Sequence, residues 1–499
     1  MSENNNKISY AKNLNKQNFS VSVSMPIDNN VNIKTILEID SYMFDERVEC
    51  GNGKAILSGK LGVKVLYIDT DNMTNTLNTT TTINETILDN AITNDCFLNI
   101  ADTKIINQIL SKVDTLKINL DISVNPVMYI NLKVNTNIET DNMITKTKEI
   151  STNEISNYVD SMFDYTINLE TKDNISKILY HNSWFASENI TPYEDRVVVE
   201  GKLFSILVYE TLSDNENVIK KLMDTTTVKS ELPLTGLADC LFDVNFYIDK
   251  SKQNIETAIE ENNSVITITN AIKVKGVCLK QVNLNIVEDL YSTTNDIELS
   301  LSKRDLYKMS NCRSLTETII GETNINENET AVDEIVANVD ILPEIINKYI
   351  KDNYLYVEGV ISSCVIYLDE FREYKQKLVE IPFVVNTKIE LEKLDCVHAN
   401  ISILDTRAKA KRGTILEIEY LTCLNLCIYT TNEVEIIDNI QIKNPLDFGG
   451  YDYQIYLAKP METMWELGKR LHMNPDDILA YNKNLPLIME GKEKIIIKR

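Results

Sequence analysis

The chain has 499 residues, 43% of them hydrophobic, with nine cysteines and a formal net charge of −24. That length allows several domains with substantial cores. The charge argues against nonspecific attachment to nucleic acid or to anionic lipid, because both would repel it.

The start, from Met1 to Lys7, carries neither a basic leader nor an apolar run, and no stretch of about eighteen apolar residues occurs later. This predicts a protein made to stay in the cytosol, without a transmembrane segment. Residues 1–18 are rich in Asn and Lys and read as a disordered arm. Three stretches then share one plan: Gly59 to Tyr67, Gly201 to Tyr209 and Gly359 to Tyr367 each open on Gly and close on Tyr eight residues later. The glycines lie roughly 150 residues apart, too far for a solenoid repeat, which makes each unit domain-sized. Each stretch is bounded by polar turns, so it reads as a hairpin arm. The even Gly-to-Tyr spacing puts both on one face. A glycine inside such a strand marks a bulge or a close backbone approach. Later in each unit come long alternating runs, Leu116 to Val124, Val265 to Val274 and Ile415 to Leu426, the pattern of antiparallel strands with one wet face.

The expected body is therefore mainly β: three homologous antiparallel, sandwich-like repeats over residues 19–155, 156–300 and 301–442. Two helices are expected within it, at Thr103 to Val113 and, with a weaker pattern, at Pro343 to Ile350. A turn-rich linker spans 443–450. The remainder, 451–499, reads as a small βααβ domain. Strand Gln454 to Leu457 pairs with Lys494 to Lys498 across two short helices. Thr463 with Glu466 makes a capping box for the first helix, and Met464, Leu467 and Leu471 form its apolar face. Asn474 and Pro475 open the second helix, whose Ile478 and Leu479 turn inward. The core is expected to close around Trp465. From Tyr451 onward eight Lys or Arg face seven Asp or Glu, a net of +1, which leaves −25 on the rest.

Chemistry is sparse. His181, His398 and His472 fall in separate units, which leaves no metal cluster or catalytic dyad in sequence. Phosphate-loop, zinc-protease and serine-hydrolase motifs are absent. No cofactor or metal is expected, and the chain does not read as an enzyme. Asp69-Thr-Asp71-Asn72 has the acidic spacing of a calcium loop without its Gly and Glu, and reads as a hairpin turn. The nine cysteines form no Cys-x-x-Cys pair and read as reduced, mostly buried thiols. Cys423 and Cys427 share a strand face. Arg407, Lys409 and Lys411 alternate along a strand and offer a basic docking face for an acidic partner or a neighbouring repeat.

The order Thr463, Trp465, Leu467, Asn474, Leu479, Asn482 and Gly491 resembles a LysM module over residues 453–498. That resemblance implies a groove lined by Met461, Glu462, Thr463, Met464, Asn484, Leu485, Leu487 and Ile488. Met461-Glu462 stands where the family commonly has Gly-Asp, and methionine at a groove lip suits an adaptable protein contact. The strand signatures Val199-Glu200-Gly201 and Val357-Glu358-Gly359, with Asp289-Leu-Tyr-Ser-Thr293 and one terminal LysM, resemble the SPOCS-repeat spore-coat morphogenetic proteins of clostridia. The first repeat departs by carrying Leu57-Ser58 before its Gly. The resemblance implies a non-enzymatic scaffold in the mother-cell cytoplasm, at the forespore surface and spore coat. It would bind a SpoIVA-like coat ATPase through the LysM module and work with other coat morphogenetic proteins. The alternative is a LysM binder of peptidoglycan or other N-acetylglucosamine glycans, with no role for nucleic acid in either case.

Overall fold

The computed structural model describes residues 5–27, 33–111, 115–135, 142–213, 216–235, 237–260, 263–325, 330–389, 396–450 and 453–498. Within them the protein is mainly β, and its strand pairs are antiparallel.

Three units recur in the body, each pairing a three-stranded sheet with a second sheet built on one long strand. The three-stranded sheets have Lys54–Asp69, Val197–Ser213 and Tyr354–Asp369 at their centres. These are the Gly-to-Tyr strands, and Tyr67, Tyr209 and Tyr367 are all buried. The second sheets centre on Thr115–Asn135, Asn263–Ser292 and Ile415–Pro445, which contain the alternating runs.

The repeated glycine has one physical role. In each unit the first strand of the sheet carries extra residues opposite it: the register slips between Phe44 and Arg47, at Glu200/Gly201, and between Ile345 and Asn347. These are β-bulges, and the bulged backbone presses on the glycine. A Cβ at Gly201 would overlap the carbonyl oxygen of Ala186, and one at Gly359 would overlap that of Glu344. At Gly59 the approach is looser, 3.3 Å to the Phe44 carbonyl. The turn after the central strand also repeats. Asp69 accepts the amides of Asp71 and Met73 at 3.0 and 2.9 Å, and Asp369 accepts those of Phe371 and Glu373 at 2.9 Å each. Asp69 thus serves its own hairpin turn.

The units are fused rather than strung out. One core joins Leu37, Leu66 and Ile68 of the first unit, Leu179, Phe204 and Ile206 of the second, and Val339, Ile361 and Val365 of the third. A second cluster joins Tyr129, Val277 and Tyr429, again one from each unit. Two polar junctions accompany them. Asp243 accepts from Tyr129 at 2.9 Å and from Tyr429, and is hydrogen-bonded to His398 Nδ1. Burial raises its pKa, but the adjacent His398 outweighs that and holds it below the usual range. In the other junction Asp40 meets Lys250 at 2.6 Å, beside Glu38 and Asp340. Burial, with Asp40 as neighbour, pushes Asp340 up to about 7, and burial with Asp340 and Asp40 pushes Glu38 well up. Such groups are tolerated because they are paired or proton-bearing.

Several expectations are corrected. Thr103 to Ser111 lies in strand Phe97–Ser111, paired with Thr115–Asn135, and residues 112–114 fall outside the described set. The β-branched Ile105, Ile106 and Ile109 favour the extended chain, and cross-strand pairing overrides the helical spacing. Pro343 to Ile350 lies in strand Val332–Lys351, an edge strand with register slips on both sides of Pro343, where a missing N–H is tolerated. Within the expected N-terminal arm, Asn5–Asn13 and the start of Gln17–Pro26 are strands laid end to end along one side of Thr115–Asn135, whose other side pairs with Phe97–Ser111. The ladder bonds there supply what the polar composition lacks. Strands Met143–Thr171 and Asn295–Asn324 run through the expected boundaries at 155/156 and 300/301, and Ile415–Pro445 enters the expected linker.

Candidate functional site

The tail carries the two α-helices found among the described residues, α1 (Met464–Leu471) and α2 (Pro475–Tyr481), between strands Tyr453–Leu457 and Lys494–Lys498. Thr463 and Glu466 close the capping box on α1, and Asn474 caps α2 with Pro475 in its first turn. Leu467, Leu471, Ile478, Met489, Ile495 and Ile497 form a core separate from that of the body. Asn482 ties α2 to the sheet, donating to the Ile478 and Ile496 carbonyls at 2.8 and 2.7 Å and accepting the Ile496 amide at 2.9 Å. Its place in the tail is structural.

The two loops expected to form the groove meet. Met461 donates its amide to the Met489 carbonyl at 2.8 Å, Met489 donates back to Glu462 at 2.9 Å, and Thr463 bridges Ile488. Not every expected side chain faces outward. Glu462 is buried, accepting the Lys459 amide at 2.9 Å and the Arg470 guanidinium at 2.7 and 2.8 Å. The hydrogen bonds from Arg470 hold its carboxyl below the usual range. Its expected role as a partner contact gives way to one inside the tail. Met464 and Leu485 are half-buried against the core. What faces solvent is Asn484 and an apolar lip: Met461 at 74% exposure, Leu487 at 87% and Ile488 at 50%. Met461 also has φ = 64°, the left-handed region. That is a costly conformation for a side chain other than Gly, Asn or Asp. Gly-Asp in place of Met461-Glu462 would remove that cost.

Trp465 is not in the tail's core. It leaves the opposite side of α1 and meets the body, donating Nε1–H to Asp289 at 2.9 Å and packing edge-on to Tyr291 with ring centroids 5.1 Å apart. Lys469 reaches the same carboxylate at 2.6 and 2.8 Å. Tyr291 donates its hydroxyl to the Met473 carbonyl at 2.8 Å, and His472 Nδ1 lies 3.0 Å from the Ser292 carbonyl. Gly468 leaves room for this approach, since a Cβ there would sit 2.5 Å from the Tyr291 hydroxyl oxygen. The Asp289-Leu-Tyr-Ser motif of the second unit is therefore the seat of the tail. Sequence reasoning singled out both halves without joining them, since nothing local links residues about 180 apart. Leu479, expected to turn inward, is over one-third exposed.

Arg407, Lys409 and Lys411 do line one strand, but acids of the same unit take their charges. Arg407 meets Asp405 at 3.4 Å, Lys409 meets Glu417 at 2.5 Å, and Lys411 meets Glu322 at 2.6 Å and also Glu417. Hydrogen bonds from Lys409 and then Lys411 pull the Glu417 carboxyl down to about 2. Among the described residues no group of three His, Cys, Asp or Glu is placed to hold a metal ion, and no helix is long and apolar enough to cross a membrane.

No family model matches the chain, and neither a curated protein nor a solved structure matches it.

Proposed function

We propose that this chain is a non-enzymatic scaffold of spore-coat assembly, a SPOCS-repeat and LysM protein. It works in the mother-cell cytoplasm at the forespore surface, where its tail binds a SpoIVA-like coat ATPase and helps localise the coat. The observation that carries the reading is the apolar lip of Met461, Leu487 and Ile488, held out to solvent on the side of the tail that does not meet the body. A polymeric sugar asks for hydrogen-bonding groups and close backbone approach, whereas this lip offers apolar, repackable side chains. The strained Met461 backbone is kept where glycine would be easier, which fits a site that needs the side chain. The fused body, with three units sharing cores, supplies a rigid carrier for other coat proteins.

The test is titration of the full-length protein with a SpoIVA-type ATPase and, in parallel, with chitin oligomers. Saturable binding to the ATPase, lost in Leu487→Asp, is expected. Binding to the glycan alone overturns the reading and makes the tail a sugar module.

A further inference from the structure

Cys312 and Cys427 stand directly opposite each other on the paired strands Asn295–Asn324 and Ile415–Pro445. Their sulfurs are 2.6 Å apart, closer than two unbonded sulfurs settle in ordinary contact. Directly paired residues of an antiparallel ladder have Cα atoms about 4.5–5.5 Å apart, inside the range that a disulfide spans without moving backbone. Cys312 is exposed and Cys427 half-buried, so a dissolved reagent reaches one sulfur while the other waits behind it. Both sulfurs also lie against the Phe242 carbonyl of the second unit, at 3.6 and 3.7 Å. The pair therefore sits at the seam between units, near the Asp243, His398 and Tyr429 junction.

We propose that Cys312 and Cys427 form a reversible dithiol switch, closed by peroxide-class oxidants, that cross-links the two long strands of the third unit beside its seam with the second. The chemistry balances with hydrogen peroxide as the named oxidant. The Cys312 thiolate attacks one peroxide oxygen and the O–O bond breaks. The departing oxygen leaves as water and Cys312 becomes a sulfenic acid. Cys427 sulfur then attacks Cys312 sulfur, the S–S bond forms, the S–O bond breaks, and the hydroxyl leaves as a second water with the Cys427 proton. Two thiols and one peroxide give one disulfide and two waters. A thiol reductant reverses the step by exchange. Among the other cysteines whose side chains are described, none is as well placed: Cys240, Cys278, Cys364 and Cys423 are buried. Cys50 and Cys96 are half-buried neighbours, and burial, with Cys96 beside it, pushes the Cys50 thiol up to about 12.

The experiment treats reduced full-length protein with a stoichiometric amount of hydrogen peroxide, alkylates the remaining thiols and maps the peptides by mass. The expected product joins the Cys312 and Cys427 peptides, is lighter by two hydrogens and disappears on reduction. Cys427→Ser should instead leave a sulfenic acid on Cys312 that dimedone traps. Circular dichroism of each variant separates loss of the switch from loss of the fold. The proposal is overturned by both thiols being fully alkylated after peroxide in the folded protein, or by a crosslink of equal yield in protein unfolded by urea. Preferential formation of a Cys50–Cys96 bridge would also overturn it.

Discussion

The body and the tail of this molecule manage buried polarity and exposed apolarity in opposite ways. The body takes carboxylates inside, at Asp243 and at Glu38 with Asp340, and surrounds them with groups from all three units. The tail closes a small core, pairs its buried carboxylate, Glu462, with its own Arg470, and leaves Met461, Leu487 and Ile488 outside. The difference separates two tasks. Buried charges that depend on neighbours from other units couple those units, since removing one partner strands the rest. An exposed lip on a small, separately closed core can meet a partner without disturbing the body.

The comparison breaks first at the glycines. Gly359→Val would drive a side chain into the Glu344 carbonyl and the Phe383 ring. A loss of about 3 kcal/mol is expected by analogy with overpacked cores, read as a lower denaturation midpoint of the body. The lip's binding should survive in whatever fraction stays folded. A midpoint equal to wild type would mean that the bulge is not needed.

A smaller effect falls on the seat of the tail. Asp289→Ala removes the acceptor shared by Trp465 and Lys469, at an expected cost of about 2 kcal/mol to docking. Trp465 fluorescence should shift to the red and proteolysis after the third unit should speed up, while the melting of the body stays put. If the body melts earlier as well, the two regions are not separable.

Next comes Met461→Gly, which relieves the left-handed backbone. The tail should gain about 1 kcal/mol and lose affinity for the proposed protein partner. Stability and binding would then move in opposite directions, the mark of a residue kept for contact. A gain in both would assign Met461 no binding role.

The pH dependence of the body sharpens the contrast further. Glu38 and Asp340 have folded pKa values above their unfolded ones, raised by burial and by neighbouring carboxylates, with Asp340 at about 7. The stability tied to their protonated forms is full below the unfolded values and is lost as pH rises through the folded ones. The melting temperature of the body should therefore fall progressively between about pH 4 and about pH 7 and level off above that. Asp340→Asn should flatten that slope, and the tail's docking should not follow it. The smallest effect is expected from reversing Arg407, Lys409 and Lys411 together, since their charges are spent on Asp405, Glu417 and Glu322. Partner binding at low salt should be unchanged.

How far the sequence could be read depended on how local the cause was. Thr463 and Glu466 cap a helix three residues apart, and Gly201 faces a bulge in the adjacent strand, so both were legible. Tyr67, Tyr209 and Tyr367 likewise marked one strand in each unit. The helical spacing at Thr103 to Val113 misled because the partner strand, not the segment itself, decided its conformation. Glu462 looked like a surface carboxylate until Arg470, eight residues on, turned it inward. Trp465 looked like core because a small domain normally closes around its one large aromatic, whereas Tyr291 and Asp289 claim it from the second unit. The fusion of the units through Leu37, Phe204 and Val365 left no local trace at all.

Hydrogen exchange of the full-length protein, alone and saturated with a SpoIVA-type ATPase, tests the division between seat and lip most directly. The account predicts new protection at the loops around Met461 and around Leu487 to Met489, with α1 protected to the same degree in both states. Loss of protection along α1 and at Tyr291 on binding, with no change at the loops, would contradict it.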